Sequence, residues 1–192
     1  MSNILDTLIG VIKTASFSTF SSTSPLKILS FLAENPEKEF LGSEIQKATS
    51  ISRAGVYIAL KVLISQKLVL KTQKGKFNLY AVAYEDPVVR QFKVLRNIIL
   101  LKPAVSRLKA IAKKIILFGS ASRGEDSSVS DLDVFVISRD HRLAKKILSS
   151  IKIERNIQPV VISPSDWITF KEKEKVFSDE VNRGITLWEE KE

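Results

Sequence analysis

Residues 115–137 read IILFGSASRGEDSSVSDLDVFVI, and this stretch constrains the fold more than any other part of the chain. The apolar runs at 115–118 and 134–137 contain no polar alternation, which suits strands buried on both faces. The first run stops at Gly119, a residue that permits a tight turn and close backbone approach to a ligand. Ser120 and the N–H groups after it open a short helix, whose N-terminus favours a phosphate. Arg123, on that helix or at its end, adds a bidentate phosphate contact, and Gly124 ends the turn. Asp131 and Asp133 flank Leu132 at the start of the second run. Side chains alternate along a strand, so both carboxylates share one face, about 6–7 Å apart along the chain, while Leu132, Val134 and Val136 face a core. Two such carboxylates repel one another. A divalent cation removes that repulsion, and Mg²⁺ takes one or two carboxylates together with water and substrate phosphates.

The Gly-Ser turn, Arg123 and the Ser-Asp-x-Asp strand together resemble the signature of the nucleotidyltransferase superfamily to which DNA polymerase beta belongs, especially its small, minimal members. The tail FSDEVNRGITLWE extends the similarity: Gly184, Ile185, Leu187 and Trp188 match the end of minimal members, so the resemblance covers about residues 103–189. It implies that Gly119, Ser120, Arg123 and Ser130 hold the phosphates of an NTP. Asp131 and Asp133 would hold Mg²⁺ or Mn²⁺ and carry catalysis. The implied reaction is in-line displacement at the α-phosphate with release of pyrophosphate. The acceptor would be a hydroxyl on a protein, an RNA or a small molecule, and a toxin-like protein partner is implied by the same resemblance. One departure stands out. Active members carry a third carboxylate on a later strand, and the matching strand here, residues 156–163, has Gln158 or Pro159 at that place. Glu154 and Asp166 fit the position poorly, and a neutral Gln cannot serve as a general base.

The N-terminal half points to a second activity. The chain carries a net charge of +9, yet no Asp or Glu occurs from Ile45 to Tyr84, a window that holds Lys47, Arg53, Lys61, Lys67, Lys71, Lys74 and Lys76. An acid-free basic stretch points to a polyanionic partner. Pro25 opens a helix to about Glu34. A short extended segment leads to a second helix capped by Ser43, and Ser52 caps a third helix to about Gln66. Leu68–Leu70 and Phe77–Val82 read as paired strands around a turn at Gly75. Three helices followed by a basic hairpin resemble a winged helix-turn-helix domain over residues 25–84. That resemblance implies a third helix in the DNA major groove, presenting Ser52, Arg53, Tyr57 and Lys61, with Lys71, Lys74 and Lys76 on the wing. Protein docking or dimerisation is the other use of such a module.

The expected fold class is therefore α+β. It comprises a mostly helical winged helix-turn-helix with a β-hairpin wing, then an α/β nucleotidyltransferase fold with a small mixed sheet. The expected organisation is an N-terminal helix and Ser/Thr-rich linker at 1–24, the winged helix at 25–84, a connecting helix at 85–102, and the nucleotidyltransferase-like domain at 103–192. Ile4, Leu5, Leu8, Ile9 and Ile12 follow a helical period. Pro87 and Pro103 are each expected to start a helix, the first a connector or the seam of a homodimer. The chain has no Cys, which excludes disulfides and Cys-based zinc sites and fits a cytoplasmic protein. No apolar segment reaches the length of about 18 residues needed to span a membrane. Two functions follow: a nucleotidyltransferase coupled to DNA binding, or a DNA-binding regulator or antitoxin-like protein whose second domain senses nucleotide or a partner.

Overall fold

The computed structural model describes residues 23–191. The N-terminal helix expected at residues 4–12 and most of the Ser/Thr-rich segment lie outside the described residues. The chain forms two compact units that divide between Lys93 and Val94.

In the first unit, α1 (Ser24–Glu34), α2 (Gly42–Thr49) and α3 (Arg53–Ser65) pack around Ile28, Leu32, Ile45, Val56, Leu60 and Leu63. Ser52 caps α3 by accepting from the Gly55 N–H at 3.2 Å, as its sequence position suggests. The start of α2 differs from expectation. The helix begins at Gly42, and Glu44, not Ser43, satisfies its end by accepting from the Leu41 N–H at 2.7 Å. Strands β2 (Val69–Lys74) and β3 (Phe77–Val82) form the hairpin, and β1 (Phe40–Leu41) adds to β3, giving the antiparallel order β1-β3-β2. Gly75, at φ 60°, makes the tight turn. Three helices with this small sheet and projecting hairpin are a winged helix-turn-helix arrangement.

Helix α4 (Pro87–Leu108) is continuous where the sequence predicts two helices meeting at Pro103. A proline inside a helix removes one hydrogen bond and crowds the preceding turn, at a cost of about 3 kcal/mol. Here Ile99, Leu101, Ala104 and Leu108, on both sides of Pro103, are all buried. Burying a large aliphatic side chain is worth about 1.5–3 kcal/mol, so the continuous helix prevails.

The second unit is a mixed sheet of β4 (Ala112–Phe118), β5 (Leu132–Ser138), β6 (Ile157–Ile162) and β7 (Ile185–Glu189), in the order β6-β5-β4-β7. Only β5 and β6 run parallel, and α6 (His141–Ser150) connects them. Strand β4 starts three residues earlier than its apolar run. The alternation of the two central strands serves two cores. Ile115, Leu117, Leu132, Val134 and Val136 face one, with Leu101 and Leu108. Ile116, Phe118, Phe135 and Ile137 face the other, beneath α7 (Pro164–Lys173) and α8 (Lys175–Asn182) through Trp167, Phe177 and Val181. Phe135 lies 4.9 Å from Trp167, ring centroid to centroid, so that tryptophan is core packing. Gly184, between α8 and β7, has no room for a side chain: a Cβ would meet the Leu117 carbonyl at 2.5 Å.

Candidate nucleotide site and nucleic-acid interface

The candidate nucleotide site sits where β4 ends and β5 begins. Phe118 pairs with Asp133 in the antiparallel ladder, so the Gly119 turn lies against that carboxylate. Gly119 adopts φ 68° and ψ −160°, a conformation essentially reserved for glycine. A Cβ at Gly119 would also run into Oδ2 of Asp133. The glycine therefore provides both the turn and the room for the acid. Helix α5 (Ser120–Arg123) follows, and Gly124, at φ 70°, closes it.

Asp133 shares its strand face with Phe135 and Ile137, while Leu132 and Val134 point into the opposite core. Asp131 precedes the strand and is exposed; Asp133 is half-buried. Burial pushes the Asp133 carboxyl above its ordinary range, the charges of Asp131 and Glu180 push it further, and Arg155 opposes them. A carboxylate held near a second carboxylate in this way is a poor ion-pair scaffold and a good cation ligand. Among the described residues no three His, Cys, Asp or Glu side chains converge as a metal cage. Mg²⁺ does not require one, because it keeps water and takes substrate phosphates alongside one or two carboxylates. The donor set fits such an ion.

The remaining site residues have specific partners. Arg123 donates from Nε to Glu125 at 2.8 Å and from Nη1 to Glu180 at 3.3 Å. These contacts, Glu125 first, hold the guanidinium pKa above its ordinary value, with burial opposing. The Ser130 hydroxyl is turned into its own loop, where it accepts from the Ser127 N–H at 3.0 Å. Gln158 stands beside Asp133 in the parallel ladder, and Pro159 stands beside Val134. Neighbours in a sheet share a face, so Gln158, exposed, occupies the place beside the aspartates.

Sequence reasoning missed a buried network under the loop that carries Asp131. The Arg155 guanidinium pairs with Asp126, their side chains only 5% and 4% exposed. It also donates to the Ser130 carbonyl, at 2.6 Å from Nη2, and to the Asp131 carbonyl at 3.2 Å. Asn97 of α4 accepts from Arg155 at 2.9 Å and donates to the Ala121 carbonyl at 3.0 Å and to Asp126 at 3.2 Å. One cation thus fixes two successive carbonyls, those of Ser130 and Asp131. Asn97 and Arg155 are 58 residues apart, and neither lies in a motif.

Residues 101–192 match the family model described as polymerase beta, nucleotidyltransferase. That match covers just under half of the chain and marks a C-terminal nucleotidyltransferase domain. The matched residues contain the four-stranded sheet, the Gly119 turn and both aspartates. None of the curated proteins matches the chain. Among solved structures, the chain is similar to the homodimeric winged helix-turn-helix DNA-binding domain of a possible ArsR-family transcriptional regulator from Mycobacterium bovis. That likeness has 25% identity, 57% coverage of this chain, 86% of the other and a TM-score of 0.34. It is also similar to the adhesin competence repressor of Streptococcus pyogenes, with 15% identity, coverages of 57% and 84%, and a TM-score of 0.38. The winged-helix assignment rests on the helix order and strand register above, not on these scores.

On the winged helix, Ser52, Arg53, Tyr57 and Lys61 are all exposed, as are Lys71, Lys74 and Lys76. The Ser52 hydroxyl is committed to its cap, and Lys74 pairs with Glu39. Arg53 and Tyr57 line a cleft of about 510 Å³ with Gln46, Phe77 and Tyr80, between the helices and the wing. Ile58, 62% exposed, joins the outward face of α3 and was not singled out by charge. Among the described residues no single helix is long and apolar enough to cross a membrane.

Proposed function

We propose that the protein transfers a nucleoside monophosphate from an NTP to a hydroxyl acceptor and couples this to DNA binding through its winged helix. The observation that carries the reading is Asp133 set against the Gly119 turn with the charge of Asp131 acting on it, in a stretch that matches the nucleotidyltransferase family model. Asp131 and Asp133 would hold Mg²⁺ or Mn²⁺, which supplies charge stabilisation at the transferring phosphoryl group. The turn at Gly119 and Ser120 brings backbone N–H groups toward the phosphates, and Arg123 adds a guanidinium. Phe118 and Phe135 bring apolar surface to the strand face that carries Asp133, which strengthens the electrostatics of that half-buried carboxylate.

Exposed basic residues on α3 and the wing support DNA as the partner of the first unit, with Arg53, Tyr57 and Lys61 toward the groove and Lys71 and Lys76 toward phosphate. A second reading is favoured by one observation, Gln158 beside Asp133. In it the domain binds metal and nucleotide but transfers weakly, and the protein is a DNA-binding regulator or antitoxin-like partner of another protein.

The test is incubation of the protein with α-labelled ATP, GTP, CTP and UTP plus Mg²⁺ or Mn²⁺, with cell lysate as acceptor. An Asp131→Ala/Asp133→Ala variant is the control. Label on a discrete acceptor, lost in the control, establishes transfer. Metal-dependent nucleotide binding without label supports the regulatory reading. Neither label nor binding overturns both nucleotide roles.

A further inference from the structure

Gln158 stands beside Asp133, and an amide cannot take up a proton. Helix α8 brings a carboxylate to Arg123, at the end of the short helix that follows the Gly119 turn. It packs on the aspartate-bearing face of the sheet through Phe177, 5.4 Å from Phe118 between ring centroids, and through buried Val181. Glu180, the residue before Val181, pairs with Arg123 at 3.3 Å, and its charge acts on Asp133. Arg123 and Glu180 are each about half exposed, at 50% and 47%, so the pair is open to exchange with a ligand.

We propose that Glu180 is the general base of this site, held on Arg123 until the nucleotide's phosphates take the guanidinium from it. This rests on the transferase reading above. Arg123 keeps Glu125, on its Nε, while its Nη1 edge turns from Glu180 to phosphate oxygen. The released Glu180 carboxylate accepts the proton of the acceptor hydroxyl. The acceptor oxygen forms its bond to the α-phosphorus, and the bond from that phosphorus to the bridging oxygen breaks. Pyrophosphate leaves with the electron pair. Glu180 therefore does two opposed things: it competes with phosphate for Arg123 and it serves the chemistry.

Glu180→Gln separates them. The side chain is exposed and the change isosteric, so the fold persists. Tripolyphosphate, a probe independent of the base, is titrated calorimetrically into the full chain with Mg²⁺, and transfer is followed with the α-labelled NTPs. The expected result is tripolyphosphate binding about two- to fivefold tighter, as a surface ion pair of up to ~1 kcal/mol is removed. Transfer falls by about a hundredfold or more, the usual loss when a general base is removed. Asp179→Asn, at the adjacent residue, changes neither. Transfer at the wild-type rate in Glu180→Gln, or weaker tripolyphosphate binding, overturns the proposal. A wild-type protein that binds tripolyphosphate with Mg²⁺ but transfers nothing overturns the base while leaving the nucleotide-binding reading intact. One that binds neither overturns both.

Discussion

Two arginine–carboxylate pairs flank the aspartates, and they differ in almost everything but chemistry. Arg155–Asp126 is buried, its side chains 5% and 4% exposed, and the guanidinium also donates to Asn97 and to the backbone carbonyls of Ser130 and Asp131. Arg123–Glu180 is about half exposed and shares its guanidinium with Glu125. Water competes for the second pair and not for the first. A buried pair is costly to assemble and costlier to break, so it fixes geometry. An exposed pair is worth little and is readily surrendered. The site thus has a cation that holds its backbone and a cation free to change partners.

The comparison breaks most sharply at Arg155. Arg155→Ala leaves Asp126 buried without its guanidinium and should cost about 3–5 kcal/mol in urea unfolding. Arg123→Ala should cost about 0–1 kcal/mol, because its partners return to water. Arg155→Lys sharpens the point. Lysine keeps a positive charge for Asp126 but cannot fork across two carbonyls and Asn97. Its Mg²⁺ midpoint for nucleotide binding should rise about tenfold well below the melting temperature. An unchanged midpoint would make the network a matter of stability alone.

Next in size is the turn that the two arginines frame. Gly119→Ala forces a β-carbon into a glycine-only conformation and against Asp133 Oδ2. The expected cost is about 1–3 kcal/mol, with loss of metal-dependent nucleotide binding. Wild-type stability and binding in this variant would show that the turn is not built around the acid.

The contrast also explains what could be read from the sequence. Gly119 and Asp133 were legible in place because local geometry defines them: a turn needs its glycine, and a strand alternates by two; Asp131, expected on the same strand face, instead precedes the strand. The apolar runs around them named the central strands for the same reason, and Ser52 was legible as a cap. Arg155, Asn97 and Glu180 were not legible, because each acquires meaning only from a partner far along the chain. Arg155 reads as one cation among many until β6 places it under Ser130. Pro103 misled for the same reason: the local rule says that a helix begins there, and the buried residues on either side of it keep α4 whole. The register that sets Gln158, and not Pro159, beside Asp133 likewise comes from pairing across the sheet.

Asp133 gives a smaller effect with a definite sign. Its folded pKa is raised, so the folded state binds more protons than the unfolded state between the two pKa values. Stability from this group is therefore present at low pH and lost as pH rises through that window. At neutral pH the ionised carboxylate is a burden on the metal-free protein. Asp133→Asn should melt at the same temperature as wild type or slightly higher without metal, and should lose any upward shift that Mg²⁺ gives the wild type. A lower melting temperature in the variant without metal would contradict the raised pKa.

The smallest expected effect extends the exposed-pair argument to the wing. Lys74 is paired with Glu39, and that hydrogen bond is the first cause holding the Glu39 carboxyl below its ordinary range. If the wing meets DNA phosphate, Lys71 and Lys76 each contribute one released counterion, and replacing either with Ala should lower the salt slope of binding by about 1. Lys74 must first leave Glu39, so Lys74→Ala should cost less affinity than Lys71→Ala. Glu39→Gln should strengthen DNA binding, by no more than about fivefold. This is the same signature expected of Glu180→Gln toward tripolyphosphate: removing an acid that occupies a cation improves the grip on phosphate. If Glu39→Gln leaves DNA affinity and salt slope unchanged, Lys74 does not contact DNA, and the wing's contribution narrows to Lys71 and Lys76.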